Sequence, residues 1–141
     1  MNIIGFFIPG KPRGKGRPRF FRRGRFVGTY TPHDTAAKEV NIYSLAYSIA
    51  REKGIRPIDG PIGVNLLILM PRPKGHTQAQ KKCPWCNTKP DIDNIVKTVL
   101  DGLNGVFFLD DKQVCHIEVK KMYAETSTEI GINVQLDDLE S

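Results

Sequence analysis

The stretch KPDIDNIVKTVLDGLNGVFFLDDKQV, residues 89–114, decides how the rest of the chain is read. It opens on Asp91 and Asp93, passes through Lys97 and closes on Asp110 and Asp111. Ile95, Val96, Val99, Leu100 and Leu103 fall at helical spacing, with Asp93, Lys97, Asp101 and Asn104 on the opposite stripe. That pattern predicts an amphipathic helix of about three turns. Pro90 suits the approach to a helix, Asp91 or Asp93 can cap its first N–H groups, and Asn104-Gly105 offers a left-handed stop. The apolar run Val106 to Leu109 then turns back. A helix of about twelve residues is roughly 18 Å long, and six or seven extended residues span about 20 Å. The second acidic pair can therefore return to the first.

Carboxylates brought into close contact raise one another's pKa or recruit a cation. All-oxygen ligation that leaves room for water and phosphate favours Mg²⁺, or Mn²⁺ in its place, over zinc. On this reading the two pairs, Asp91 with Asp93 and Asp110 with Asp111, are the candidate metal site, with Lys97 one turn into the helix. A basic protein carrying such a cluster reads as a phosphodiester hydrolase. The competing reading takes the aspartates as helix caps and solvated turns, which favour Asp for local reasons. The chain would then be a non-catalytic, architectural DNA-binding protein. An EF-hand is excluded, because DIDN lacks the glycine at the sixth position and the distal glutamate.

The chain's 141 residues suit one domain over residues 1–141 with a sizeable core. Its net charge of +6 points to a polyanionic partner. The charge is concentrated: Lys11, Arg13, Lys15, Arg17, Arg19, Arg22, Arg23 and Arg25 supply eight positive charges in one stretch without an acid, leaving the remainder at −2. Gly and Pro alternate with these residues, and Phe20, Phe21, Phe26 and Tyr30 follow around an expected turn at Arg23-Gly24. A loop or β-ribbon over residues 11–31 can neutralise several phosphates while its rings pack beneath it or stack on bases. No opening segment reads as a signal peptide, and there is no run of eighteen apolar residues. Three cysteines do not make a disulfide framework. A soluble cytoplasmic protein with no membrane segment is expected.

Asn2 to Ile8 reads as a buried first strand, ended by Pro9-Gly10. Gly5 to Lys11 has the glycine and lysine spacing of a P-loop, but Pro12 follows where a hydroxyl is needed for magnesium, so nucleotide binding is discarded. A helix is expected over Ala36 to Lys53, ending at Gly54, and a central strand over Ile62 to Met70. Residues 71–89 are the least regular and are expected to be mobile without a ligand. Within them Cys83-Pro84-Trp85-Cys86 is half of a Zn²⁺ site, which His76, Cys115, His116 or a second CPWC from a partner subunit would complete. Reduced, unliganded thiols are the default for an isolated CxxC; a zinc-dependent adaptor is the third and weakest function class. Val114 to Tyr123 and Glu129 to Leu136 alternate as two strands of an expected antiparallel hairpin, in which only one of Lys120 and Lys121 can face the acidic site. The acidic tail Asp137 to Glu140 reads as a frayed end.

At PDIDN…K…LDGLNG…DD, preceded by IPGKPRGKGRPRF, the sequence resembles the RusA family of Holliday junction resolvases. The resemblance implies an α+β fold, a small mixed β-sheet packed with two main helices, acting as a homodimer on four-way junction DNA with paired symmetric nicks. It implies that Asp91, Asp93 and Asp111 bind the catalytic metal and that Lys97 is needed for cleavage. A bacterial or prophage-encoded enzyme of DNA recombination and repair is the expectation it carries. CPWC before the DxDN block departs from the family's core pattern.

Overall fold

The computed structural model describes residues 2–14, 19–23, 26–30 and 33–140, with side chains over 2–14 and 41–140. Its centre is a four-stranded mixed sheet in the order β1-β6-β4-β5, formed by β1 (Asn2–Pro9), β4 (Ile62–Met70), β5 (Val114–Tyr123) and β6 (Gly131–Asp138). β6 runs antiparallel to both of its neighbours, and β5 runs parallel to β4. A separate ribbon pairs β2 (Arg19–Arg23) with β3 (Phe26–Tyr30), Arg23 opposite Phe26. Gly24 of the expected turn at Arg23-Gly24 lies outside the described residues.

β4 is an inner strand whose alternate apolar side chains supply the middle of the core. Ile62, Val64, Leu66, Ile68 and Met70 are buried and form one face with Ile132, Val134 and Leu136 of β6. Onto that face pack α1 (His33–Lys53) and α3 (Ile92–Leu103), through Ile42, Ala46 and Ala50 of the first and Ile95, Val99 and Leu103 of the second. The other face carries Asn65, Asn133 and Gln135 and is exposed there. The fold is α+β, with helices on one side of a mixed sheet. No helix among the described residues is long and apolar enough to cross a membrane.

The expected hairpin of the last two strands is corrected. β5 and β6 lie on opposite sides of β4, each paired to it, and the connection between them passes the end of β4, where Ala124 N–H donates to Met70 C=O at 2.8 Å. Alternation identifies strands but not partners. The long apolar β4 gains most by taking the middle, and a link of a few residues easily crosses two strand spacings of about 4.8 Å each.

Two further expectations change. β1 is an edge strand, with Ile4 and Ile8 buried and its other side chains partly or fully exposed. Asp137 and Asp138 belong to β6, paired with Gly63 and Ile62, and Leu139 N–H donates to Pro61 C=O at 3.1 Å, so the acidic tail is docked rather than frayed.

Candidate active site

α3 begins at the acidic motif. Asp91 has the extended backbone of an N-cap (φ −65°, ψ 146°) and its carbonyl accepts from Ile95 N–H at 3.2 Å, yet its carboxylate makes no capping hydrogen bond. The local role that usually explains aspartate here is not performed by the side chain. Asp93 follows in the first turn, where the helix dipole tolerates negative charge. Both aspartates are exposed and line an open groove of about 860 Å³ with Thr88, Lys89, Lys120 and Lys121.

Beyond α3 the chain folds back as its length allows. Gly105 takes a left-handed φ of +83°, after which Val106, Phe107 and Phe108 are buried in the core. Gln113 then locks the return: its side-chain oxygen accepts from Leu109 and Asp110 N–H at 2.8 and 2.9 Å, and its amide donates to the carbonyls of Ile58 and Gly60 at 2.7 and 2.9 Å. Asp111 is thereby brought to Lys97, whose ammonium lies 3.4 Å from Asp111 Oδ2 and 2.9 Å from Asp101 Oδ1. The hydrogen bond to Asp101, joined by that to Asp111, raises the Lys97 pKa above its ordinary value. Asp110 is occupied differently. It caps the 3-10 turn Asp111–Gln113 by accepting from Lys112 N–H at 3.0 Å, which holds its carboxyl below the usual range.

The acidic residues are therefore distributed unequally. Asp91 and Asp93 stand together on the groove, Asp111 stands at Lys97 one helical turn further on, and Asp110 serves as a cap. Among the described residues no three His, Cys, Asp or Glu side chains form a group that could hold a metal ion. By donor chemistry, the carboxylates of Asp91, Asp93 and Asp111 fit a hard divalent cation such as Mg²⁺ or Mn²⁺.

The irregular stretch before α3 is tied to the sheet. Trp85 forms an antiparallel bridge with Met122, Cys86 N–H donates to Lys121 C=O at 3.1 Å, and Tyr123 N–H donates to Pro84 C=O at 2.8 Å. CPWC thus extends the sheet beyond β5. Lys121, whose strand position aligns it with Ile68 of the helix-covered face, donates to the carbonyls of Thr88 and Pro90 at 2.5 and 2.7 Å. Both candidate lysines line the groove of Asp91 and Asp93, contrary to the expectation that only one could face it, and Lys121 engages the approach to the helix through backbone.

Arg72 organises the other end of this stretch. Its guanidinium donates to Gln80 C=O and Cys83 C=O at 2.9 and 2.8 Å and lies 4.3 Å from the Tyr123 ring centroid. A short helix, α2 (Gln78–Lys81), opens with a Thr77/Gln80 capping box. Within residues 71–89, one arginine thus satisfies carbonyls that no ladder reaches. Cys86 is buried with its sulfur 3.5 Å from Thr88 Oγ1, whereas Cys83 and Cys115 are exposed. Sequence reading passed over Arg72 and Gln113; Gln113 had one signal, its place three residues after Asp110, the spacing of a capping box.

The basic segment enters beside the acidic helix. Lys11 and Arg13 are exposed, and Gly14 passes so close that a Cβ there would stand 2.9 Å from Pro90 Cβ and 3.1 Å from Asn94 Cβ. Arg19, Arg22 and Arg23 lie on β2. Their side chains, and Lys15, Arg17 and Arg25 altogether, fall outside the described residues.

Residues 9–135 match the family model described as Endodeoxyribonuclease RusA. Among curated proteins, the Uncharacterized protein YqaN of Bacillus subtilis (strain 168) is 32% identical over 132 residues, covering 89% of this chain and 91% of its own.

Proposed function

The chain belongs to the RusA endodeoxyribonuclease family, and from that premise we propose that it resolves four-way DNA junctions by metal-dependent hydrolysis of two phosphodiester bonds. The observation that carries this reading is the pair Asp91 and Asp93, exposed on an open groove without a capping bond, one helical turn from the Lys97–Asp111 contact. Asp91, Asp93 and Asp111 would hold Mg²⁺, or Mn²⁺ in its place. A divalent ion in such a site lowers the pKa of water and offsets charge on the phosphoryl oxygens.

The chain's own residues do the rest. Lys97, oriented by Asp101 and Asp111, presents a positive charge to the scissile phosphate and stabilises the charge that develops there. Lys121 fixes the backbone ahead of Asp91. The basic residues of segment 11–31, which include Lys11, Arg13, Lys15, Arg17, Arg19, Arg22, Arg23 and Arg25, hold the DNA backbone and position it without reading sequence. A homodimer would set one such site on each of two strands, matching a two-fold substrate with paired incisions. The setting is recombination and repair in the bacterial cytoplasm, from a host or prophage gene.

The test is cleavage of a synthetic four-way junction beside a matched linear duplex, in Mg²⁺ and in EDTA, with wild type and Asp93→Asn. Paired nicks in the junction alone, lost in EDTA and in the variant, are expected. Tight junction binding without cleavage in either Mg²⁺ or Mn²⁺ would instead support the architectural reading.

A further inference from the structure

Trp85 is the chain's single tryptophan, and its side chain is 53% exposed. A ring of this size normally gains by burial, and its backbone here is held on both sides. The residue before it is held through Pro84 C=O, the residue after it through Cys86 N–H, and Trp85 itself bridges to Met122. Cys86 is buried and Arg72 secures Cys83 C=O, so the anchoring extends to both sides of the ring. The indole is an exposed aromatic surface on an anchored, β-like backbone. It lines the same groove as Asp91 and Asp93, with Lys89 and Lys120 exposed beside it. Lys121 differs from those two in spending its charge on the carbonyls of Thr88 and Pro90.

An exposed aromatic face flanked by free ammonium groups, next to a candidate phosphodiester-cleaving pair, fits one ligand chemistry. The ring takes a planar base and the lysines take the adjoining phosphates. Continuous duplex offers no free base face, because every base is stacked between two neighbours. The branch point of a junction does, since pairs at the exchange lose a stacking neighbour and cost least to open. We propose that Trp85 is a stacking platform for a nucleobase of the cleaved strand at the branch point. This inference rests on the nuclease reading and adds to it a contact that favours branched over linear DNA.

The single tryptophan makes the test direct, because intrinsic emission reports on that ring alone. A dye-labelled four-way junction is titrated in EDTA, so that nothing is cut, with anisotropy following binding and tryptophan emission following the ring. Quenched emission at saturation and reduced access to iodide are expected. A series of junctions, each with one abasic nucleotide near the exchange, then locates the base. One position should restore emission and weaken wild-type binding by about 5- to 150-fold. Trp85→Ala should weaken binding to the intact junction by a similar factor and show no sensitive position, and Trp85→Phe should keep most of the affinity. Unchanged emission at saturating anisotropy overturns the proposal, as does an abasic penalty equal in wild type and Trp85→Ala. Those results leave the nuclease reading standing, because that is decided by the Asp93→Asn cleavage comparison. Absence of any anisotropy change with the junction would sink both.

Discussion

The Lys121 ammonium donates to the Pro90 carbonyl at 2.7 Å, so a residue of the outermost strand holds the peptide unit directly ahead of Asp91. The carboxylate position thus depends on a side chain more than two dozen residues further along the chain. Removing the ammonium leaves the Thr88 and Pro90 carbonyls to water and frees the loop to drift, and a displacement of about 1 Å near reacting atoms can cost about 100-fold in rate. Lys121→Met is expected to lower single-turnover cleavage by at least about tenfold, with a loss of about 1 kcal/mol in stability for a partly exposed charged hydrogen bond. Lys121→Arg, which can still donate, should recover part of the rate. Equal cleavage by wild type and Lys121→Met would show that the clamp does not position the site.

Lys97 is half exposed, and exposed ion pairs contribute roughly 0–1 kcal/mol. Its pairing with Asp101 and Asp111 is therefore a weak source of stability. Lys97→Met should leave the melting temperature within a few degrees of wild type while reducing junction cleavage by about 100-fold or more, as expected when a charge-stabilising donor is removed. Thermal melting and single-turnover kinetics separate the two effects. A large fall in melting temperature with cleavage preserved would assign Lys97 to the fold instead.

The fold was legible where each segment's own sequence determines its shape. Ile62–Met70 and Val114–Tyr123 are strands over the residues expected, α1 ends before Gly54 in a left-handed conformation, and α3 presents Ile95, Val99 and Leu103 to the core. Partnership was less legible. Nothing local to Val114–Tyr123 says that it lies parallel to β4, because that order follows from competition for the centre of the sheet. The return of Asp111 toward α3 could be argued from chain length, but its stopping point at Lys97 depends on Gln113 reaching Ile58 and Gly60. The hydrogen bonds that tie residues 71–89 together were hidden for a related reason. Prolines and lysines read as loop, and the residue that organises them, Arg72, acts through carbonyls distant in sequence.

That dependence makes Arg72 testable. Arg72→Ala removes two charged hydrogen bonds to carbonyls and the contact over Tyr123, interactions worth about 1.5–3 kcal/mol per hydrogen bond at most and less where water can replace them. A stability loss of about 2 kcal/mol is expected, together with faster amide exchange over residues 77–86. Native-state hydrogen exchange checks this directly. Protection unchanged in that segment would show that CPWC is held by its pairing with β5 alone.

Phosphate contacts can be counted without side-chain geometry. Each contact contributes about 0.9 to the slope of log affinity against log salt on duplex DNA. Reversing charge at both Arg17 and Arg19 should therefore weaken junction binding and flatten that slope by about 2. Binding isotherms at several salt concentrations measure it, and an unaltered slope would remove these arginines from the DNA interface.

Asp91 and Asp110 both occupy N-cap positions, but only Asp110 uses its carboxylate as a cap. Their substitutions should consequently separate stability from activity in opposite directions. Asp91→Asn keeps the shape, loses no capping bond and relieves repulsion with Asp93, so it should melt at or slightly above the wild-type temperature while cleavage disappears. Asp110→Ala removes the acceptor for Lys112 N–H and should cost about 1 kcal/mol, within the usual range for a lost cap. Asp110→Asn, which can still accept that bond, should restore most of the stability and retain cleavage. Melting curves and junction cleavage on the three variants decide the matter: a cleavage-dead but stable Asp110→Asn would move that residue into the catalytic group, and an active Asp91→Asn would remove Asp91 from it.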